Sequence, residues 1–253
     1  MPMRRFPTEF ADLLSAQGQK LLAGNHAAAG ALANPRTRFV ALNGLLDARQ
    51  AALAGPLLEA AIGPHLRLMA QPIPPESIWE MSRNYSEILP KVMRQHTLHL
   101  DAGQSAGRRA AEAIGLLAML RSDSYRAFAT ALAGRPLKRK YGLQAIAYHP
   151  GDYAGPHNDH HPEEPEARQG YLDLHIGFVT PGARSQLLVY AKAGHFSEAV
   201  EVARNGLVNA YRLPFWHYTT PLLAKRRQVE TARRWILLGT FLYKAAAPDQ
   251  GAR

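Results

Sequence analysis

No cysteine occurs among the 253 residues. A disulfide framework, a cysteine-held iron–sulfur cluster and a thiolate zinc site are therefore excluded, and any transition metal must be held mainly by His, Asp or Glu. The lack of cysteine also fits a reducing compartment, so a cytoplasmic location is expected. Long apolar runs are missing as well. No stretch approaches the roughly 18 residues that suggest a membrane span. The opening MPMRRFPTEFADLL follows its arginines with Glu9 and Asp12 instead of an apolar signal core, so neither signal peptide nor anchor is expected. Internal repeats are absent. Acidic residues are the scarcer charge, 20 against 30 Lys and Arg, for a formal net charge of +10. Basic clusters stand at Arg4-Arg5, Arg135 to Lys140 (RPLKRK), Lys225 to Arg227 and Arg233-Arg234. Such a field favours acidic partners, whether nucleic acid, phosphorylated metabolites or acidic peptides. No nucleic-acid motif accompanies the charge, and a solvated basic surface is its plainer reading.

What is present is a globular composition. Hydrophobic residues reach 47%, enough to bury one sizeable core or two small ones. Residues 8–32 have helical apolar spacing, with Thr8 as a cap candidate. A short strand is expected over residues 38–42, then a helix from Leu45 to Gly63-Pro64. Residues 71–77 (QPIPPES) predict a loop, because their prolines remove donors. One helix is expected over residues 104–120, and another after Ser122 or Ser124 ending at Gly134. The first half thus predicts as mostly helical. From about Tyr141 the texture changes to short Val-, Ile-, Leu- and Tyr-rich runs between Gly, Pro and Asp turns. Five or so such strands in about a hundred residues suggest a β-sandwich or jelly roll. The expected division is a helical region 1–121 packed on the core, a β core over 122–245, and a frayed tail 246–253.

The chemistry concentrates in YHPGDYAGPHND, Tyr148 to Asp159. On a strand, His157 and Asp159 at i and i+2 point to one face. Two ligands fix a metal poorly. His217, in LPFWHYTTPL a few strands later, is the best third. Two His and one carboxylate on one face form the facial triad of non-haem Fe(II) oxygenases, although the same set also binds Zn(II), Co(II) or Mn(II).

At these residues the sequence resembles the Fe(II)/2-oxoglutarate-dependent dioxygenase superfamily, nearest its prolyl-4-hydroxylase-like branch. The resemblance covers roughly residues 122–243. In order, it rests on SDSYRAFATALAGRPL, YHPGDYAGPHND, NGLVNAYRLPFWHYTTPL and ARRWILLGTFLY. It implies a double-stranded β-helix (jelly-roll, cupin-like) core. His157, Asp159 and His217 take the iron-ligand positions. Arg234 takes the position that pairs the far carboxylate of 2-oxoglutarate, where a guanidinium fork matches a carboxylate. Tyr148 matches a position whose phenol contacts the co-substrate. The cofactors implied are Fe(II), 2-oxoglutarate and O2, and the reaction is C–H hydroxylation with release of succinate and CO2. Asp159 favours hydroxylation over halogenation, since halogenating members lack that carboxylate.

Two departures stand out. The segment from His217 to Arg234 is long and holds AKRRQVETA, which leaves Arg226, Arg227 and Arg233 as competitors for the co-substrate. Gly177 stands where a bulkier residue is common and suggests room for substrate. Asp173 and His175 alternate with apolar residues and are candidates to support the ligands from the interior. His160 and His161 fall in a polar loop. His96 and His99 have helical i, i+3 spacing and read as structural. Trp216 and Tyr218 flank His217 on the opposite face and read as core. Two other classes fit the same residues: a cupin-like metal enzyme without 2-oxoglutarate, and a basic binding protein on this scaffold.

Overall fold

The structure is a computed structural model that describes residues 5–72, 92–101, 103–159 and 170–244. In chain order the strands are β1 (Phe39–Leu42), β2 (Arg67–Pro72), β3 (Val92–His99), β4 (Leu137–Tyr148), β5 (Tyr153–Ala154), β6 (Tyr171–Val179), β7 (Ala183–Ser185), β8 (Leu187–Lys192), β9 (His195–Glu201), β10 (Val208–Arg212), β11 (His217–Thr219), β12 (Leu223–Ala224) and β13 (Arg234–Tyr243). The helices are α1 (Ala16–Leu22), α2 (Ala48–Ala61), α3 (Ala106–Ala113), α4 (Leu116–Leu120) and α5 (Asp123–Ala133).

The main sheet runs β1-β10-β6-β13-β4-β3-β2, with β5 added beside β3. Smaller sheets, β11-β8-β9 and β12-β7, form the second layer. This is a double-stranded β-helix, mainly β, with N-terminal helices outside.

Period-two alternation explains why both faces of the main sheet are covered. On β13, Trp235, Leu237, Phe241 and Tyr243 join one cluster with the helices, including Phe10, Leu58, Leu120 and Phe128. Ile236, from the intervening position, packs with Ile146, Tyr148, Ala183 and Leu222 between the layers. Arg234 shares the Ile236 side. A second inter-layer cluster gathers Tyr171, Leu188, Leu207, Tyr211 and Phe215. β13 lies between β4 and β6, with Arg234 opposite Tyr148 on one side and Val179 on the other. The central strand thus places the arginine at the floor of the inter-layer space.

The first half is less helical than its composition suggests. β1, β2 and β3 all belong to the main sheet, so residues 1–121 supply strands as well as an outer helical layer. β3 reads VMRQHTLH, and its polar residues hide the alternation. His96 and His99 are therefore strand residues, not neighbours on a helix face. The helix expected over residues 8–32 is interrupted. Leu14 is extended, and Ser15, rather than Thr8, caps α1 by accepting from the backbone N–H groups of Gln17 and Gly18. The helix expected over 104–120 breaks at Gly115, which is left-handed (φ 76°), where a Cβ would meet the Phe6 carbonyl at 2.9 Å. Of the loop expected at 71–77, Gln71 and Pro72 complete β2 and the rest lies outside the described residues, as does the tail 246–253.

α5 behaves as expected. Ser122 caps it, and Gly134 ends it in a left-handed conformation. The Ser122 hydroxyl accepts from the Phe10 and Tyr125 N–H groups and donates to the Met119 carbonyl. Ser122→Ala should therefore lower the unfolding free energy by about 1–2 kcal/mol, read from urea melts, with unchanged slope.

Candidate metal centre

The two layers are joined where Pro150 pairs with Leu222 and where His157 pairs with His217. The His157 N–H donates to the His217 carbonyl at 3.0 Å, and the His217 N–H donates back at 2.9 Å. In a hydrogen-bonded antiparallel pair, directly opposed side chains share a face. The two rings accordingly converge, with centroids 4.3 Å apart. Both imidazoles are buried.

Each ring is also locked in tautomer. His157 Nδ1 lies 2.6 Å from the Gly155 carbonyl, and His217 Nδ1 lies 2.7 Å from the Phe215 carbonyl. A carbonyl only accepts, so Nδ1 carries the proton and a neutral ring presents its lone pair at Nε2. Asp159 closes the set. Its Oδ1 is 3.4 Å from His157 Nε2, and its Oδ2 is 3.8 Å from His217 Nε2. One ligand atom from each of the three lies within 4.8 Å of the others. Asp159 reaches this position differently from the strand expectation. It lies beyond the bridge in a left-handed conformation, φ 52°. The turn, not period-two alternation, aims its carboxylate. Burial, and then the neighbouring His157, lowers the His217 pKa to about 4, which keeps the ring neutral and able to coordinate.

Around this centre, Tyr211 and Phe215 stack on His217 at 5.1 and 5.4 Å between centroids. His175 meets Tyr211 edge-on at 4.6 Å. Burial, and then Arg234 and His217, lowers the His175 pKa to about 3. Asp173 is pushed up to about 7 by burial and then by the Asp159 charge, against a hydrogen bond from Thr240. Both residues thus face the interior beside the triad.

Arg234 is 1% exposed. Its Nε donates to the Val202 carbonyl at 3.1 Å, and one terminal nitrogen donates to Gln186 Oε1 at 3.0 Å. The guanidinium carbon sits 5.3 Å from the Tyr148 ring centroid. Among the described residues, no carboxylate forms an ion pair with it. Its hydrogen bonds among the described residues go to neutral oxygens, and the nearby Glu201 charge offsets part of the cost of burying it. The alternatives separate cleanly: Arg233 turns to Glu59 on α2, and Arg226 and Arg227 are exposed in the turn before β13. Tyr148 is buried beside Arg234. Its phenol pKa is raised by burial.

Residues with no motif of their own do much of the positioning. Gln186 is fully buried. It accepts from Arg234, and its amide donates to the Thr220 and Asp152 carbonyls. Asp152 accepts from Arg94 Nε, His96 Nδ1 and the His149 N–H, each at 2.9–3.0 Å, and so ties β3 to the loop before β5. His96 and His149 stack at 3.7 Å. Together with Asp152 they have metal-like proximity. Near-parallel rings, 11° apart, aim their lone pairs side by side, and Arg94 occupies the carboxylate; both observations favour a structural role. Gly177 does not open substrate room. A Cβ there would meet the Leu207 carbonyl at 3.2 Å, because the 204–207 turn docks on its backbone. Trp216 is half-buried and Tyr218 packs near Phe196, away from the triad. His160 and His161 lie outside the described residues.

Similar folds occur among solved structures. The chain matches a prolyl hydroxylase from Trichoplax adhaerens, in complex with a hypoxia inducible factor oxygen degradation domain peptide, at TM-score 0.53 and 13% identity, over 89% of this chain and 91% of that one. It matches a 2OG-Fe(II) oxygenase family oxidoreductase from Burkholderia pseudomallei at 0.52 and 13%, over 91% and 92%. It also matches the non-haem α-ketoglutarate-dependent epimerase SnoN from nogalamycin biosynthesis at 0.50 and 16%, over 94% and 92%. The fold is that of the 2-oxoglutarate–Fe(II) oxygenases. No protein-family model and no curated protein matches the sequence.

The raised Asp173 pKa has a sign that can be tested. Unfolded, its carboxyl ionises near the ordinary value of 3.8, and folded only at about 7. The folded state holds the extra proton across that window, so Asp173 costs increasing stability as pH rises from about 4 to 7 and a constant amount above. In chelator-treated protein, Asp173→Asn should melt higher than wild type at pH 8, and the gap should shrink steadily toward pH 4. A pH-independent gap in thermal melts would assign the effect to packing instead.

Proposed function

We propose that the chain is a non-haem Fe(II)- and 2-oxoglutarate-dependent oxygenase that hydroxylates an unactivated C–H bond of an amino acid, a peptidyl residue or a small metabolite. One observation carries this reading: a three-residue His/Asp/His cluster and a buried arginine that forms no ion pair among the described residues both lie close to His175. The balanced reaction takes 2-oxoglutarate, O2 and R–H to succinate, CO2 and R–OH. His157, Asp159 and His217 would hold the metal on one face, leaving positions for 2-oxoglutarate and O2. When bound there, Fe(II) supplies the redox chemistry that couples decarboxylation to C–H oxidation.

The protein's own part is positioning. Gly155 and Phe215 carbonyls fix the two imidazoles with Nε2 facing inward. Arg234 pairs the far carboxylate of the co-substrate, and Gln186 holds the guanidinium in plane for it. Tyr148 covers the guanidinium, and Ile146 and Ile236 line the neighbouring wall and exclude water. The fold likeness supports the reading, since the solved structures that share the architecture include one described as a 2OG-Fe(II) oxygenase family oxidoreductase and one described as a prolyl hydroxylase.

Anaerobic titration of the Fe(II)-loaded protein with 2-oxoglutarate tests it. A weak visible charge-transfer band is expected, absent in His157→Ala and in Asp159→Ala. Arg234→Leu should keep iron but weaken 2-oxoglutarate by about 2–5 kcal/mol, roughly thirtyfold or more. Gln186→Leu should weaken it less. If iron binds and no band forms, a metal enzyme without 2-oxoglutarate takes precedence.

A further inference from the structure

The two oxygens that hold the Arg234 guanidinium come from different chain segments. Gln186 lies between β7 and β8, and Val202 follows β9. The Gln186 side chain has its orientation set, because its amide nitrogen donates to the Thr220 and Asp152 carbonyls and so leaves Oε1 for the guanidinium. What remains to be fixed is the spacing of the two segments. Gln186 stands where the chain leaves the β12-β7 sheet for the β11-β8-β9 sheet, and there its N–H is met by a side chain instead of a backbone carbonyl.

That side chain is Glu201, opposite Leu187 at the end of β9. Its Oε1 accepts from the Gln186 N–H at 2.9 Å and from the Ala203 N–H at 2.7 Å. Its other oxygen accepts from the Ser185 hydroxyl. The Val202 N–H donates to the Gln186 carbonyl at 2.8 Å beside these contacts. One carboxylate therefore ties residues 185 and 186 to residues 201 and 203, the two segments that meet at Arg234. Hydrogen bonds to an ionised acceptor are about twice as strong as neutral ones, so the tie is a firm one. Among the described residues, Glu201 forms no ion pair with Arg234. It acts on the guanidinium through its neighbours.

Resting on the oxygenase reading above, we infer that Glu201 is a positioning residue for the co-substrate: by clamping Gln186 to Val202 it holds Arg234 where the far carboxylate of 2-oxoglutarate arrives. Selectivity for a 2-oxo dicarboxylate over a 2-oxo monocarboxylate then depends on a residue that touches neither. The reach of the side chain matters more than its charge. Glutamine at this position keeps the length and an oxygen for both N–H groups, and its amide can donate to the Ser185 hydroxyl. Aspartate keeps the charge but is one methylene shorter, too short to meet residues 185, 186 and 203 together. A displacement of about 1 Å at a positioning group costs up to about a hundredfold.

Two readouts test this. In metal-free full-length protein carrying isotope-labelled arginine, the Arg234 Nε–H signal, identified by its loss in Arg234→Leu, should exchange slowly, being buried and bonded to Val202. Glu201→Gln should leave its shift and exchange unchanged, and Glu201→Asp should move the signal and speed its exchange. In Mn(II)-loaded protein, binding of 2-oxoglutarate and of pyruvate is read by water proton relaxation. Glu201→Asp should weaken 2-oxoglutarate about tenfold, and Glu201→Gln by about twofold at most. Pyruvate lacks the far carboxylate and should bind all three proteins alike. Ser185→Ala removes only the contact to the second oxygen and should act in the same direction by about threefold, which keeps the test decisive if Glu201→Asp does not fold. An effect of Glu201→Gln as large as that of Glu201→Asp assigns the role to charge and overturns the inference. So does an equal loss of pyruvate, the result of a generally loosened fold. Wild-type protein that binds Mn(II) but not 2-oxoglutarate overturns the oxygenase reading and this inference with it, whereas 2-oxoglutarate binding that is indifferent to the variants overturns this inference alone.

Discussion

The reciprocal backbone pairing of His157 and His217 is the constraint on which the site depends. Two hydrogen bonds, of 3.0 and 2.9 Å, join two residues some sixty positions apart in the chain. That pairing fixes three things at once: it joins the two layers, places two imidazoles face to face, and leaves each ring's Nδ1 over the carbonyl two residues earlier in its own chain. The side chains then need no further search for orientation. Their tautomer follows from the backbone, since an imidazole over a carbonyl donates from that nitrogen and offers the other.

The surrounding structure holds this pair in register. Asp152 ties its own loop to β3, and the Leu222 N–H donates to its carbonyl at 3.0 Å. The Ala154 N–H donates at 2.8 Å to the hydroxyl of Thr219, in the same strand as His217. Gln186 links the same region to Arg234. The His/Asp/His cluster and the arginine are therefore coupled through a few buried polar contacts rather than through apolar packing alone. Such networks favour one geometry because each unsatisfied member is costly.

Much of the site was legible because its chemistry is local in sequence. His157 and Asp159 sit within one turn, and Arg234 opens a strand whose alternation is plain in RRWILLGTFLY. Choosing His217 as the third ligand needed the resemblance as well as the spacing. Other features were hidden for physical reasons. The left-handed turn at Asp159 depends on local backbone geometry, so its carboxylate comes near the two imidazoles by a route other than the expected i, i+2 strand relation. β3 was obscured because Arg94, Gln95 and His96 make polar contacts where an ordinary strand buries apolar groups. Gln186 carries no motif, and its role appears only when β8 and β13 are brought together. Gly177 looked like open space because a missing side chain says nothing about which backbone fills its place.

Charge balance links the site's parts. Among the described residues, the candidate site holds a permanent cation, Arg234, and a carboxylate, Asp159, while burial keeps the His217 imidazole neutral. These two charges cancel. On the function proposed above, a divalent metal and a dianionic co-substrate entering together would also cancel. A second ionised carboxylate would upset that sum. Burial and the nearby Asp159 charge oppose its ionisation at Asp173. Either partner alone would leave two uncompensated charges in a low-dielectric space, whereas the pair does not. The same arithmetic explains why Arg234 is held by carbonyl and amide oxygens instead of by a protein carboxylate. A resident counter-ion would satisfy the guanidinium, compete with the co-substrate and leave the loaded site with excess negative charge.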